Sequence, residues 1–258
     1  MIDVSGLVPE AQPIAERAAI VYIHHAGRDF RGLIAHGSAV KGGVIPNCSD
    51  IDLQLYLDGR AFDAAGHLPL DRQIALHRDL ARIDPAPFHY IQCYAIGTRL
   101  RDGWTGPIPG AYRILAGHLP IPEATEEQLR RSAAVRLAAL DPWPAYLKDS
   151  LLDHGRGRLE RNVRLLCTEV WPALYELLIL GGEDAIPTWN LTKQAAMARL
   201  PADSPAATAI RGFHAAVCAY FADVTSIADA LDAITHGIAF LTAAKQAVAR
   251  DGSGTLRH

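Results

Sequence analysis

Two aspartates separated by one residue carry the clearest chemistry in this chain of 258 residues. They lie in the stretch from Ile34 to Leu57, IAHGSAVKGGVIPNCSDIDLQLYL. Side chains alternate along a strand, so Asp50 and Asp52 share a side, with Cα atoms roughly 6–7 Å apart. Two carboxylates placed this way can converge on magnesium, which takes one or two carboxylates together with substrate phosphates. A pair of such metals would clamp the attacking and leaving oxygens of an in-line phosphoryl displacement. Upstream, Gly37 has no side chain to keep a phosphate from the backbone. Ser38 adds a hydroxyl and an N–H at the start of an expected helix, where anions are favoured. Lys41 could add charge to a triphosphate or be an ordinary loop lysine. An Asp-x-Asp alone usually marks a solvated strand edge. A Gly-Ser turn, eleven residues and then Asp-Ile-Asp, with apolar strands on both sides, is a different signal.

Several elements must hold these residues. Pro9 to Gly27 has helical spacing, with Ile14, Ala18, Val21 and Tyr22 on one side. Gly32 to His36 is a short apolar run suited to a buried strand. Asp50 to Leu57 alternates, with Ile51, Leu53 and Leu55 on one face and Asp50, Asp52, Gln54 and Tyr56 on the other. Leu70 to Ile83 predicts a helix, and Phe88 to Ile96 a third strand. Trp104 to Pro122 is rich in Gly and Pro without a sustained period, and is expected to be a linker. Beyond it the pattern is helical: Ala124 to Leu140, Pro144 to Leu152, Leu159 to Leu180, Leu191 to Leu200, Ser204 to Ala222 and Ser226 to Ala249. Thr125-Glu126-Glu127-Gln128 has the form of a capping signal. The expected class is α+β: an α/β domain with a small mixed sheet over residues 1–120, a helical bundle over 121–250, and a polar tail over 251–258.

The 34–57 stretch resembles the signature of the polymerase-beta-like nucleotidyltransferase superfamily. It is most similar to the adenylyltransferases that modify streptomycin and spectinomycin. That group shows GSAV-x-GG-x-x-P-x-x-SDIDL, matched by Gly37-Ser38-Ala39-Val40, Gly42-Gly43, Pro46 and Ser49-Asp50-Ile51-Asp52-Leu53. A second, less specific match runs from Glu160-Arg161-Asn162-Val163 through Trp171 to Leu191-Thr192-Lys193-Gln194-Ala195-Ala196 and Leu200-Pro201. The two matches come in the family's order and span both expected domains. The resemblance implies transfer of AMP from ATP to a hydroxyl of a small molecule. It implies that Asp50 and Asp52 hold Mg2+, that Gly37 and Ser38 bind nucleotide phosphates, and that Lys193 reaches the triphosphate. Arg161 and Asn162 either line the ligand cleft or brace the bundle.

The chain departs from the family in two places. The superfamily usually carries a third carboxylate on the next strand, and Phe88-His89-Tyr90-Ile91-Gln92-Cys93-Tyr94 has none. By counting, His89 falls nearest that position. An imidazole has a pKa suited to a general base but is a poorer magnesium ligand than a carboxylate. His89 is therefore a catalytic candidate, with a packed strand histidine as the alternative. The second departure concerns the acceptor. Polycationic aminoglycosides call for acidic pockets, whereas His154-Gly155-Arg156-Gly157-Arg158 is basic, with Asp149 and Asp153 nearby. Two further readings stay open: a nucleotide-binding or regulatory protein with impaired chemistry, and a transferase acting on a protein or RNA partner.

Composition narrows the field. Half the residues are hydrophobic, 21% are charged, and the formal net charge is −3. Broad phosphate-backbone contact usually needs a basic surface, so nucleic acid is a disfavoured partner. The four cysteines, Cys48, Cys93, Cys167 and Cys218, form no CxxC pair and suggest neither zinc nor disulfides. No segment reaches about 18 uninterrupted apolar residues, and no leader pattern opens the chain. A cytoplasmic protein without membrane partners is expected.

Overall fold

The computed structural model describes residues 1–100, 103–153 and 155–252. It divides into two compact units, Met1–Ala124 and Thr125–His258.

In the first unit the order is α1 (Gln12–Ala26), β1 (Phe30–His36), α2 (Ser38–Lys41), β2 (Ile51–Leu57), α3 (Leu70–Leu80), β3 (Ile91–Ile96) and β4 (Tyr112–Gly117). The strands form one sheet in the order β3-β2-β1-β4. β1 runs antiparallel to β2 and β4, and β3 runs parallel to β2, so the sheet is mixed. Leu33 and Ala35 of β1 and Ile51, Leu53, Leu55 and Leu57 of β2 pack in a single core with Ile14, Ala15, Ala18, Ala19 and Tyr22 of α1. The alanines let α1 approach the sheet closely, and burial of this face is the main stabilising term. Removal of the apolar residues to that face leaves the even-numbered side chains of β2 and β3 on the opposite one. α3 is tied to α1 by polar contacts: His25 Nε2 lies 2.8 Å from Asp79 Oδ2, and the Arg72 guanidinium donates to the His25 and Ala26 carbonyls.

Two differences from the sequence pattern concern this sheet. β4 falls inside the stretch expected to be a linker. Its alternation is hidden because the β1–β4 register shifts between Leu33 and Ile34, leaving Leu115 and Ala116 buried side by side. Glycine and proline around it gave a loop signal. Here glycine serves backbone approach: a Cβ on Gly32 would stand 2.0 Å from the His118 carbonyl oxygen. The third strand is also shorter than Phe88–Ile96, because Phe88 N donates back to the Pro85 carbonyl and His89 N to the Ser49 carbonyl of the loop before β2.

The second unit consists of α4 (Glu126–Ala139), α5 (Ala145–Ser150), α6 (Arg156–Leu180), α7 (Ala185–Trp189), α8 (Lys193–Met197), α9 (Pro205–Ala222) and α10 (Ile227–Gly252). The capping signal at Thr125 forms: Gln128 N donates to Thr125 Oγ1 and Thr125 N donates to Gln128 Oε1. α6 packs on α4 and α10, and α10 packs on α9. The segment Ile227–Val248 is long and apolar enough to cross a membrane by length and composition. Its Ala230, Ala233, Ile234, Phe240, Leu241 and Ala244 are buried within the unit, as in a core helix. α7 was not legible because Pro187 looked like a break. It stands in the first turn, where its missing N–H has no intrahelical partner to lose. The expected tail begins inside α10, and residues 253–258 lie outside the described residues, as does His154 of the basic stretch.

The α+β assignment, a small mixed sheet followed by a helical unit, describes the molecule.

Candidate functional site

β1 ends at His36 and the chain turns at Gly37, with φ of 71°. A side chain there is excluded twice. The conformation is left-handed, and a Cβ would stand 2.3 Å from Asp52 Oδ2. The turn starts α2, where Lys41 N donates to the Gly37 carbonyl, and Ser38 is buried at its first position. The glycine therefore brings the Gly-Ser backbone directly against one of the two carboxylates.

Asp50 and Asp52 are both half-buried, Asp50 just before β2 and Asp52 within it. The connecting loop is held by its own hydrogen bonds. Ile45 N donates to Ser49 Oγ, and Asn47 N donates to the Pro87 carbonyl. His89 N donates to the Ser49 carbonyl, and His89 Nδ1 lies 3.1 Å from the Asn47 carbonyl oxygen. Ile51 N then donates to the Tyr90 carbonyl, where the β2–β3 ladder starts.

These bonds decide which residue stands beside Asp52. In the sheet, Asp52 pairs with His36 of β1 on one side and with Gln92 of β3 on the other. The residue of β3 beside Asp52 is therefore Gln92, while His89 bonds to the loop before β2. Tyr90, Gln92 and Tyr94 share parity and interact in series: Tyr90 Oη donates to Gln92 Oε1, and Gln92 Nε2 donates to Tyr94 Oη. On the other side Tyr56 Oη donates to Gln54 Oε1 at 2.6 Å, and Gln54 Nε2 lies 3.4 Å from His36 Nε2. Burial, aided by the Lys41 ammonium, pushes the His36 imidazole down to about 4. At neutral pH His36 is uncharged and leaves the carboxylates their negative field. The parity of Gln92 with Asp52 was available in the sequence, but only given the start of β3.

Asp50 and Asp52 are oxygen donors suited to magnesium, and Gly37 lets the Gly-Ser backbone lie directly against Asp52. Among the described residues no group of three or more His, Cys, Asp or Glu is placed to hold a metal ion. The polar face supplies the two carboxylates and the Gln54 and Gln92 amides.

Lys193 lies in the second unit, at the first position of α8 behind the capping Thr192 hydroxyl. Its ammonium stands 5.7 Å from the centroid of the Trp171 ring. Of the two α6 residues matched with it, Asn162 is 1% exposed and its Oδ1 accepts from Ser150 Oγ, which ties α5 to α6. Arg161 is exposed. The charge near the start of α6 is partly self-compensated, with Arg158 Nε 3.5 Å from Asp153 Oδ2.

No model of a known protein family matches the chain, and no curated protein matches its sequence. Among solved structures, the spectinomycin adenyltransferase AAD(9) from Enterococcus faecialis, solved with ATP and spectinomycin, is similar with a TM-score of 0.56 at 14% identity. The match covers 91% of this chain and 98% of that one. At this identity the likeness is one of fold alone, shared over nearly the whole of both chains.

Proposed function

We propose that this protein is a magnesium-dependent nucleotidyltransferase that moves AMP from ATP to a hydroxyl group of a small molecule. The observation that carries the reading is the contact between the Gly37 backbone and the Asp52 carboxylate, since nucleotidyl transfer needs a phosphate held beside metal-binding oxygens. Asp50 and Asp52 would hold the metal, which when bound supplies Lewis-acid stabilisation of charge on the phosphoryl oxygens. The Gly37 and Ser38 backbone orients the nucleotide phosphates, and Lys193 contributes a cation to the triphosphate. His89, bonded to the loop carbonyls, keeps Asp50 at the mouth of β2, and its imidazole is the candidate to accept the acceptor's proton. The solved neighbour's spectinomycin makes aminoglycosides the first acceptors to try. The mixed charge around residues 149–158 widens the search to neutral polyols.

The test is magnesium-dependent pyrophosphate release from ATP, with and without streptomycin, spectinomycin and a panel of hydroxyl compounds. Release should require an acceptor and fall by about a thousand-fold in Asp50→Ala. Unchanged release in that variant would sink the assignment of the site.

Gln92 favours a second reading, in which the fold binds nucleotide without turning it over. Tight magnesium-ATP binding by the wild type without release for any acceptor, and a gain of release in Gln92→Glu, would establish it.

A further inference from the structure

Lys193 stands in a group whose other members the proposed chemistry does not use. Trp171 of α6 is flanked by the Lys193 ammonium and by the His214 imidazole of α9, whose ring centroid lies 6.0 Å from the indole in an edge-on arrangement. His214 Nε2 is 3.3 Å from Gln194 Nε2 of α8 and 3.8 Å from Cys218 Sγ, one turn along α9. Three helices thus bring one ammonium, one imidazole and one amide around an indole, all within the helical unit.

We propose that Lys193, Gln194 and His214 form a polyphosphate-binding site in which His214 takes up a proton as the anion arrives. The proposal rests on the reading that Lys193 meets the triphosphate, and it adds a second cation that exists only when the ligand is present.

Electrostatics requires the coupling. In the free protein, burial and the Lys193 charge both disfavour the imidazolium and hold the His214 pKa below its ordinary value. No carboxylate among the described residues contributes to that shift. The groups facing His214 from neighbouring elements are Lys193 on α8, Cys218 on α9 itself and the uncharged Trp171 on α6. From α10, His236 lies against the α9 backbone at Gly212. A polyphosphate on Lys193 carries several negative charges and reverses the sign of the field at His214. The bound-state pKa therefore rises while the free-state pKa stays low. Between those values each bound anion draws a proton from solvent, and affinity climbs as the pH falls through that window. The gain ends below the free-state pKa, where His214 is already charged.

The experiment is calorimetric titration of the full chain with inorganic tripolyphosphate, free of magnesium, between about pH 5.5 and about pH 8. The wild type, His214→Asn, His214→Gln and Lys193→Met are compared, so that the ligand's own titration cancels. Wild-type affinity should rise about ten-fold more over that range than that of either His214 variant. Titrations in buffers of different ionisation enthalpy should show proton uptake by the wild type that both variants lack. The imidazole resonance missing from both variants should titrate at higher pH with tripolyphosphate than without. Equal pH slopes in the wild type and the two variants would overturn the proposal while leaving Lys193 as a phosphate ligand. Undiminished binding by Lys193→Met would overturn both, as would an absence of wild-type binding.

Discussion

The two units each hold a neutral histidine beside a lysine, and the two pairs are built in opposite ways. His36 and Lys41 flank the Gly37 turn, and His36 sits in a strand paired on both sides, opposite Asp52 and Tyr112. His214 and Lys193 come from different helices and meet through the Trp171 ring. In the sheet, position follows from backbone hydrogen bonds, which leave little freedom once the register is set. In the helical unit, position follows from side-chain packing, and the imidazole stays accessible enough to respond to a ligand. The sheet site is suited to holding reacting atoms in place, and the helical site to adjusting its charge.

Gly37→Ala should break the sheet site most severely. The added methyl meets both a φ of 71° and the Asp52 carboxylate, a strain of about 1–3 kcal/mol in the turn. Displacement of Asp52 by an ångström should lower kcat for pyrophosphate release by about a hundred-fold, with KM for ATP less affected. A normal kcat in Gly37→Ala would mean that the turn and Asp52 are not coupled in the reaction.

The same contrast explains what the sequence discloses. Gly37 through Asp52 is contiguous, and its Gly37, Ser49 and two aspartates each answer to a backbone constraint or a charge. The strand alternation of β2 and the periodicity of the long helices were legible for the same reason, since period and burial are local. β4 was lost because a register shift broke its alternation. Counting along the strand puts His89 nearest the family's third carboxylate, but a count does not show the bonds by which His89 closes the loop. Gln92 became visible only once the ladder fixed where β3 begins. Trp171, Lys193 and His214 are far apart in sequence, and no local pattern marks them as neighbours. Their meeting is decided by how α6, α8 and α9 pack.

Packing also sets the pH response of the helical unit. Glu176 of α6 is 3% exposed, and burial pushes its carboxyl up to about 7, against the opposing pull of Arg136, whose Nε is 3.1 Å away. The folded state then binds this proton more tightly than the unfolded state. Stability from Glu176 is complete below the ordinary carboxyl pKa near 4.5 and is lost as the pH rises from there through about 7. Glu176→Gln should abolish that slope and raise stability at pH 8 by about 1–3 kcal/mol, less what the ion pair with half-exposed Arg136 had contributed. Denaturant unfolding of wild type and variant across this range checks it. A wild-type slope that survives in Glu176→Gln would place the buried titration elsewhere.

The smallest effect is expected at Trp171, and it separates the two sites most sharply. The ring is 8% exposed, packs 5.2 Å from Phe213 between centroids, and offers its face to the Lys193 ammonium. Trp171→Leu keeps an apolar filler but removes the face. A cation–π contact at a half-exposed lysine is worth about 0.5–1 kcal/mol, so KM for ATP should rise about two- to five-fold while kcat stays put. Trp171→Phe, which restores a face, should recover part of the loss, whereas a purely packing role would leave the two variants alike at equal stability. That pattern is the reverse of the one expected for Gly37→Ala. If Trp171→Leu instead lowered kcat as Gly37→Ala does, the helical site would be positioning reacting atoms too, and the division between a fixed sheet site and an adjustable helical one would fail.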